Sequence, residues 1–217
     1  MAVTLKAVLG EQTKNDNGPV INAVQQTYTP ELIIALCGPI GSPLHEVGDS
    51  IKAQLEPFQY ACRTIRLSDF IREHANKVGL RVAGTNEFQK IKSLIDSGDA
   101  LRKEFGPSVL AQLAIRRIRI EREAEKAAAM GGANSAFKPR RVCHIIDSIK
   151  NQEELELLRL IYGEMLFVIG VFSPMPLREK NLAARGLSTQ QIYSLVEEDS
   201  GAERDEGQTV RKTFPLC

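Results

Sequence analysis

The 217-residue sequence carries almost no net charge: 28 Lys and Arg stand against 27 Asp and Glu, for a formal +1. That balance removes the global electrostatic case for binding nucleic acid or a membrane surface. No window approaches the roughly 18 unbroken apolar residues of a membrane span. The first thirty residues also lack the basic-then-apolar layout of a secretory signal. Cysteine is sparse: Cys37, Cys62, Cys143 and Cys217 are never closer than 25 residues, so C-x-x-C zinc and dithiol motifs are excluded. The three histidines, His45, His74 and His144, form no H-x-E motif, and there is no G-x-S-x-G elbow. Tryptophan is absent, and no aromatic is interleaved with the arginines at 116, 117, 119 and 122, which leaves a nucleic-acid surface there without its stacking half.

What is present is enough apolar material, 43%, for a substantial core in one large domain or two small ones. A soluble, globular, cytoplasmic protein is expected. Residues 1–28, with the polar run Glu11 to Gly18, read as a flexible leader, and residues 29–217 as the folded domain. Glu31 to Gly38 is a continuous apolar run closed by glycine, which suits a strand buried on both faces. Leu44, Val47, Ile51 and Leu55 then recur at helical spacing.

Tyr60 to Leu67 reads as a second strand, with Ser68-Asp69 capping a second helix. Residues 86–97 and 99–105 read as helices, and Pro107 as the first turn of a long helix to about Met130 striped by Leu110, Leu113, Ala114 and Ile118. After the break at Gly131 to Ala136, Arg141 to Asp147 reads as a strand. Asn151 and Glu154 form a capping box for a helix ending at Gly163. Met165 to Phe172 reads as a further buried strand, and Ser188 with Gln191 starts another helix. Strands alternating with helices predict an α/β three-layer sandwich around a mainly parallel sheet. The cysteines at 37, 62 and 143 fall within strand runs, where a reduced thiol packs as a small hydrophobe.

The most informative segment is Leu36-Cys-Gly-Pro-Ile-Gly-Ser-Pro-Leu-His45, a strand, a glycine loop and a helix start in that order. Such a loop can hold phosphate with backbone N–H groups and the helix dipole. Against G-x-x-x-x-G-K-[ST] counted from Gly38, the second Gly is Pro43, the Lys is Leu44 and the Ser/Thr is His45. Pro43 removes a donor. Leu44 removes the charge that reaches the β- and γ-phosphates, and His45 the hydroxyl on magnesium. These losses oppose ordinary phosphoryl transfer, which depends on positioning and charge neutralisation. A tight turn with no ligand is the competing reading.

Asp147 sits at a strand end, where an acid can hold magnesium or cap the next turn. Arg66, Arg102, Arg178 and Arg185 follow strand ends or flank helices and could face an anion, although a lone arginine is commonly a solvated charge. Residues 113–141 are net +5, with Arg116, Arg117, Arg119 and Arg122 on one helix. A solvated helix face explains them better than a nucleic-acid patch. Residues 195–206, net −5, read as solvent-facing or loop.

Several segments together carry a family likeness: Glu31 to Ser42, Ile65 to Asp69, Gly98 to Arg102, Ile145 to Lys150, Glu154 to Gly163, Ile169 to Ser173 and Gly207 to Phe214. In order and spacing they resemble the N-terminal half of the bacterial anti-phage dCTP/dCMP deaminases, over residues 30–214. The resemblance implies a nucleoside-monophosphate-kinase-like P-loop domain with a degenerate loop, followed in that family by a zinc-dependent deaminase domain. Deaminase chemistry needs H-x-E and P-C-x-x-C, which this sequence lacks, so zinc, its ligands and the catalytic Glu map to no residue here. The expectation is a nucleotide-sensing or regulatory module, truncated before the catalytic domain.

Gly38, Gly41 and Ser42 would contact the phosphate of a nucleotide, by expectation a deoxynucleotide. Asp147 would hold any magnesium, and Arg178 and Arg185 would neutralise charge. Membrane and nucleic acid are not expected as partners; a homo-oligomer stays open. The alternatives are a nucleoside-monophosphate kinase with an atypical loop and an interaction domain without a ligand.

Overall fold

A computed structural model describes residues 31–130, 141–200 and 210–217. The expected leader, the break at 131–136 and the acids at 203–206 lie outside the described residues. Four strands, β1 (Leu32–Cys37), β2 (Ala61–Arg66), β3 (Val142–Ile149) and β4 (Leu166–Gly170), form one all-parallel sheet in the order β2-β3-β1-β4. The helices joining and flanking them are α1 (Leu44–Leu55), α2 (Leu67–His74), α3 (Glu87–Phe105), α4 (Val109–Met130), α5 (Gln152–Tyr162), α6 (Met175–Ala184) and α7 (Thr189–Ser200). The fold is therefore the expected α/β three-layer sandwich.

Strand alternation sends the apolar run of β1 to both faces. Ile33, Ala35 and Cys37 pack with residues of α2, α4 and α5, while Ile34 and Leu36 pack under α1 with Cys143 and Ile145. The stripe of α4 is buried at Leu110, Ala111, Ala114 and Ile118. A third cluster, Ile95, Leu182, Leu187, Ile192 and Leu195, ties α3 to α6 and α7. Cys37 and Cys143 are completely buried, and burial pushes the Cys143 thiol up to about 12.

Three local expectations are corrected. Helix α2 begins at Leu67 with Arg66 at its cap position and no side-chain cap; Ser68 and Asp69 lie in its first turn and both receive Arg72. The segments 86–97 and 99–105 form one helix, α3, capped by the Asn86 side chain on Gln89 N–H. Gly98 does not break it but admits a neighbour: a Cβ there would lie 2.9 Å from Ile71 Cδ1 of α2. Strand β4 is not buried on both faces, because it pairs only with β1 and leaves Phe167 half-exposed, with Phe172 beyond it also in solvent.

Candidate functional site

The loop between β1 and α1 lies at the carboxyl end of the sheet, where parallel α/β folds bind their ligands. Its conformation depends on Gly41, which has φ +83° and whose Cβ would meet Arg178 O at 3.0 Å and Leu182 Cδ1 at 3.1 Å. Only glycine takes this backbone without strain while lying against α6. Side chains from other elements then hold the loop. Arg178 Nε donates to Ile40 O (2.7 Å), Asn181 Nδ2 to Gly41 O (2.9 Å) and Lys150 Nζ to Gly38 O (2.8 Å). The Ile40 N–H donates to Asp199 Oδ2 at 2.7 Å, and the other oxygen of Asp199 receives Lys150 Nζ at 2.8 Å.

Lys150 reaches the loop because β3 is irregular. Leu36 pairs with Asp147 but Cys37 pairs with Ile149, so Ser148 is an extra residue. Before it, Ile145 faces the α1 side; after it, Ile149 belongs to the opposite cluster. A bulge of this kind re-aims the side chains that follow it. Regular alternation would have turned residue 150 away from α1, whereas the shift brings Lys150 onto the loop.

The turn after β3 is braced from below. Buried Glu154 closes the expected capping box with Asn151, and its carboxylate accepts the N–H groups of Lys150 (3.2 Å) and Asn151 (3.3 Å). It also receives Nε of buried Arg102 at 2.9 Å, and Arg102 reaches Asp99 at 3.3 Å.

The loop opens onto a cleft of about 600 Å³ lined by Gly41, Ser42, His45, Asp147, Lys150 and Arg185, with Ile91, Leu94 and Ile95 of α3 as an apolar wall. The cleft combines a glycine loop, cations and an apolar side, as small-molecule sites do. Ser42 Oγ is buried and has no hydrogen-bond partner among the described residues. Asp147, on the α1 side of β3, is buried, and its Oδ2 lies 2.7 Å from Nδ1 of exposed His45. No group of three or more His, Cys, Asp or Glu among the described residues is arranged to hold a metal ion. Magnesium bound with phosphates needs only one or two carboxylates, keeping water as its other ligands. Asp147, which lines the cleft with Ser42, fits that mode and not an all-protein cage.

Of the residues singled out in the sequence, Gly41, Ser42, Asp147 and Arg185 line this cleft, and Gly38 holds Lys150 at its edge. Arg178 lies behind the loop on Ile40 O, and burial holds its guanidinium below its ordinary value. Arg185 also pairs with Glu87. Arg102 is no anion ligand: its charge is spent on Glu154 and Asp99 inside the core. On α4, Arg116, Arg117 and Arg119 are exposed and Arg119 pairs with Glu123 (2.8 Å), as a solvated face requires; Arg122 departs from that reading, half-buried over the Tyr162 ring with its Nε donating to Glu31 at 2.7 Å.

The reading of 195–206 as solvent-facing is overturned at Asp199, which is 2% exposed and bound to the loop. The acid run hid it, since nothing in composition separates Asp199 from its neighbours. Lys150 was likewise missed because period-two counting cannot anticipate a bulge. Among the described residues no helix is long and apolar enough to cross a membrane. No family model matches the chain, and no curated protein matches it.

Proposed function

We propose that this chain is a nucleotide-binding module: a P-loop-kinase-like domain that holds a deoxynucleotide by its phosphates and regulates a deoxycytidine-nucleotide deaminase. The observation that carries the binding reading is the strand–glycine loop–helix segment opening on a cleft with Lys150 and Arg185 on its walls; the Ser42 hydroxyl, without a hydrogen-bond partner among the described residues, is buried in the loop beside it. Phosphate binding in such loops rests on backbone N–H groups and nearby positive charge; the cleft supplies the charge at Lys150 and Arg185, and the Ile40 N–H is held by a side-chain carboxylate that a phosphate could replace. The apolar wall of Ile91, Leu94 and Ile95 suits the base and sugar. The link to deamination, and the anti-phage role and cytoplasmic location that go with it, rest on the resemblance of the segments named above. The chain itself carries neither zinc motif.

Thermal-shift titration with deoxynucleotides tests the binding reading. A ligand that binds only the folded state stabilises it by mass action, by about 2.7 kcal/mol at a hundredfold excess over Kd, and so must raise the melting temperature. A flat response across all four deoxynucleoside mono- and triphosphates would refute it and favour the ligand-free interaction domain.

Lys150 gives the kinase alternative a specific support, since it returns to the loop the positive charge lost at Leu44. A coupled phosphoryl-transfer assay across nucleoside monophosphates separates the two. Turnover abolished by Asp147→Ala would establish the kinase and displace the regulatory module.

A further inference from the structure

The loop amide and the loop cation are both engaged by one carboxylate. Asp199 takes the Ile40 N–H at 2.7 Å with one oxygen and the Lys150 ammonium at 2.8 Å with the other. An N–H of a glycine loop together with an ammonium is the donor set that a phosphate oxygen would use. Asp199 is also a costly residue where it stands. It is 2% exposed and falls in the last turn of α7, where the helix dipole disfavours a negative charge. A buried carboxylate is retained only where fixed donors compensate it, and these two do so.

Lys150 is correspondingly placed to be the loop's missing lysine. Leu44, at the sequence position of that lysine, is buried in the cluster beneath α1 and has no charge to offer. Lys150 comes instead from the bulged end of β3, is mostly buried, lines the cleft, and already touches the loop at Gly38 O. Ser42 Oγ, buried in the same loop without a hydrogen-bond partner among the described residues, is a second polar group beside the cleft that the fold does not itself satisfy.

We infer that Asp199 is an internal counter-anion of the loop and Lys150 its phosphate-neutralising cation, so that a polyphosphate ligand binds by displacing the Asp199 carboxylate from Lys150 and Ile40. This rests on the nucleotide-binding reading and deepens it. The ligand must carry enough charge to outcompete a carboxylate already in place, which favours a nucleoside triphosphate over a monophosphate. The end of α7 then moves or stays according to whether ligand is bound.

Calorimetric titration of the full chain with dCTP and with inorganic tripolyphosphate tests this. Asp199→Asn keeps an acceptor for the Ile40 N–H but gives up the charge; it is expected to bind both ligands at least tenfold tighter than the wild type. Lys150→Met is expected to bind them at least tenfold weaker, with Lys150→Arg recovering most of the loss. Glu198→Gln removes an acid that pairs with Lys92 and not with the loop, and is expected to change affinity less than threefold. Where Asp199→Asn lacks a cooperative melt, Asp199→Ser takes its place with the same expectation.

Binding by the wild type with no gain in the Asp199 variants overturns the counter-anion and leaves the nucleotide reading standing. An equal gain in Glu198→Gln also overturns it, because repulsion by the acid run would then suffice. Unchanged affinity in Lys150→Met removes the role given to Lys150. Absence of binding in the wild type and in both Asp199 variants overturns the inference and the nucleotide reading together.

Discussion

Replacing Arg102 with Met tests how the fold carries the site. The Arg102 guanidinium is buried, donating to Glu154 Oε1 at 2.9 Å and to Asp99 at 3.3 Å. Glu154 is itself completely buried and holds the N–H groups of Lys150 and Asn151. Met fills much of the alkyl volume of Arg, so the loss falls on the charge left on Glu154. Removing one partner of a buried ion pair costs about 3–5 kcal/mol. For a chain of this size that lowers Tm by about 6–20 °C.

Urea denaturation followed by circular dichroism measures the loss, and an unchanged slope shows that the unfolding reaction is the same. The double variant Arg102→Met/Glu154→Gln separates charge from packing. The neutral amide still offers an oxygen to the Lys150 and Asn151 N–H groups, so the double variant should regain at least half of the lost stability. A single-variant loss below about 1 kcal/mol would refute the buried-pair account. A double variant as unstable as the single one would place the cost in packing.

Four further outcomes follow from the same structure. Gly41→Ala puts a Cβ 3.0–3.1 Å from α6 atoms at a positive φ and should cost about 1–3 kcal/mol in thermal or urea unfolding; a neutral effect contradicts the loop geometry. Asn151→Ala removes the cap on Glu153 N–H and should cost about 1 kcal/mol. Burial would raise the Glu31 carboxyl, but hydrogen bonds from His144 and Arg122 outweigh it and hold the group at about 2, against 4.5 when free. Its stabilisation is therefore complete above pH 4.5 and fades as the pH falls toward 2, by about 1–3 kcal/mol after solvent screening; Glu31→Gln should flatten the stability–pH curve there. Thiol titration of the native chain should find exposed Cys217 reacting first, and Cys37 and Cys143, buried in the core, unreactive until unfolding.

The fold was largely legible because its strands are driven by local pattern. The apolar run at 32–37 is buried on both faces as its composition demands, and the Asn151–Glu154 box forms as its spacing predicts. Legibility failed where long-range contacts decide. Gly98 reads as a break until Ile71 is known to lie against it, and Arg102 reads as an anion ligand until Glu154 is placed beneath it. The loop was visible as a candidate, but its charge partners were not. Lys150 depends on one extra residue in β3, and Asp199 lies 159 residues from the Ile40 amide it accepts. Both belong to ordinary-looking charged stretches, so only tertiary structure sets them apart.

Amide spectra of the isotope-labelled chain, recorded during titration with dCTP, test the central claim most directly. If the glycine loop is the phosphate site, the amides of Gly38, Ile40, Gly41 and Ser42 shift together and saturate with one affinity, and the Lys150 amide follows them. Saturation that leaves these amides unmoved, or no saturation at all, contradicts a phosphate-binding role for the loop.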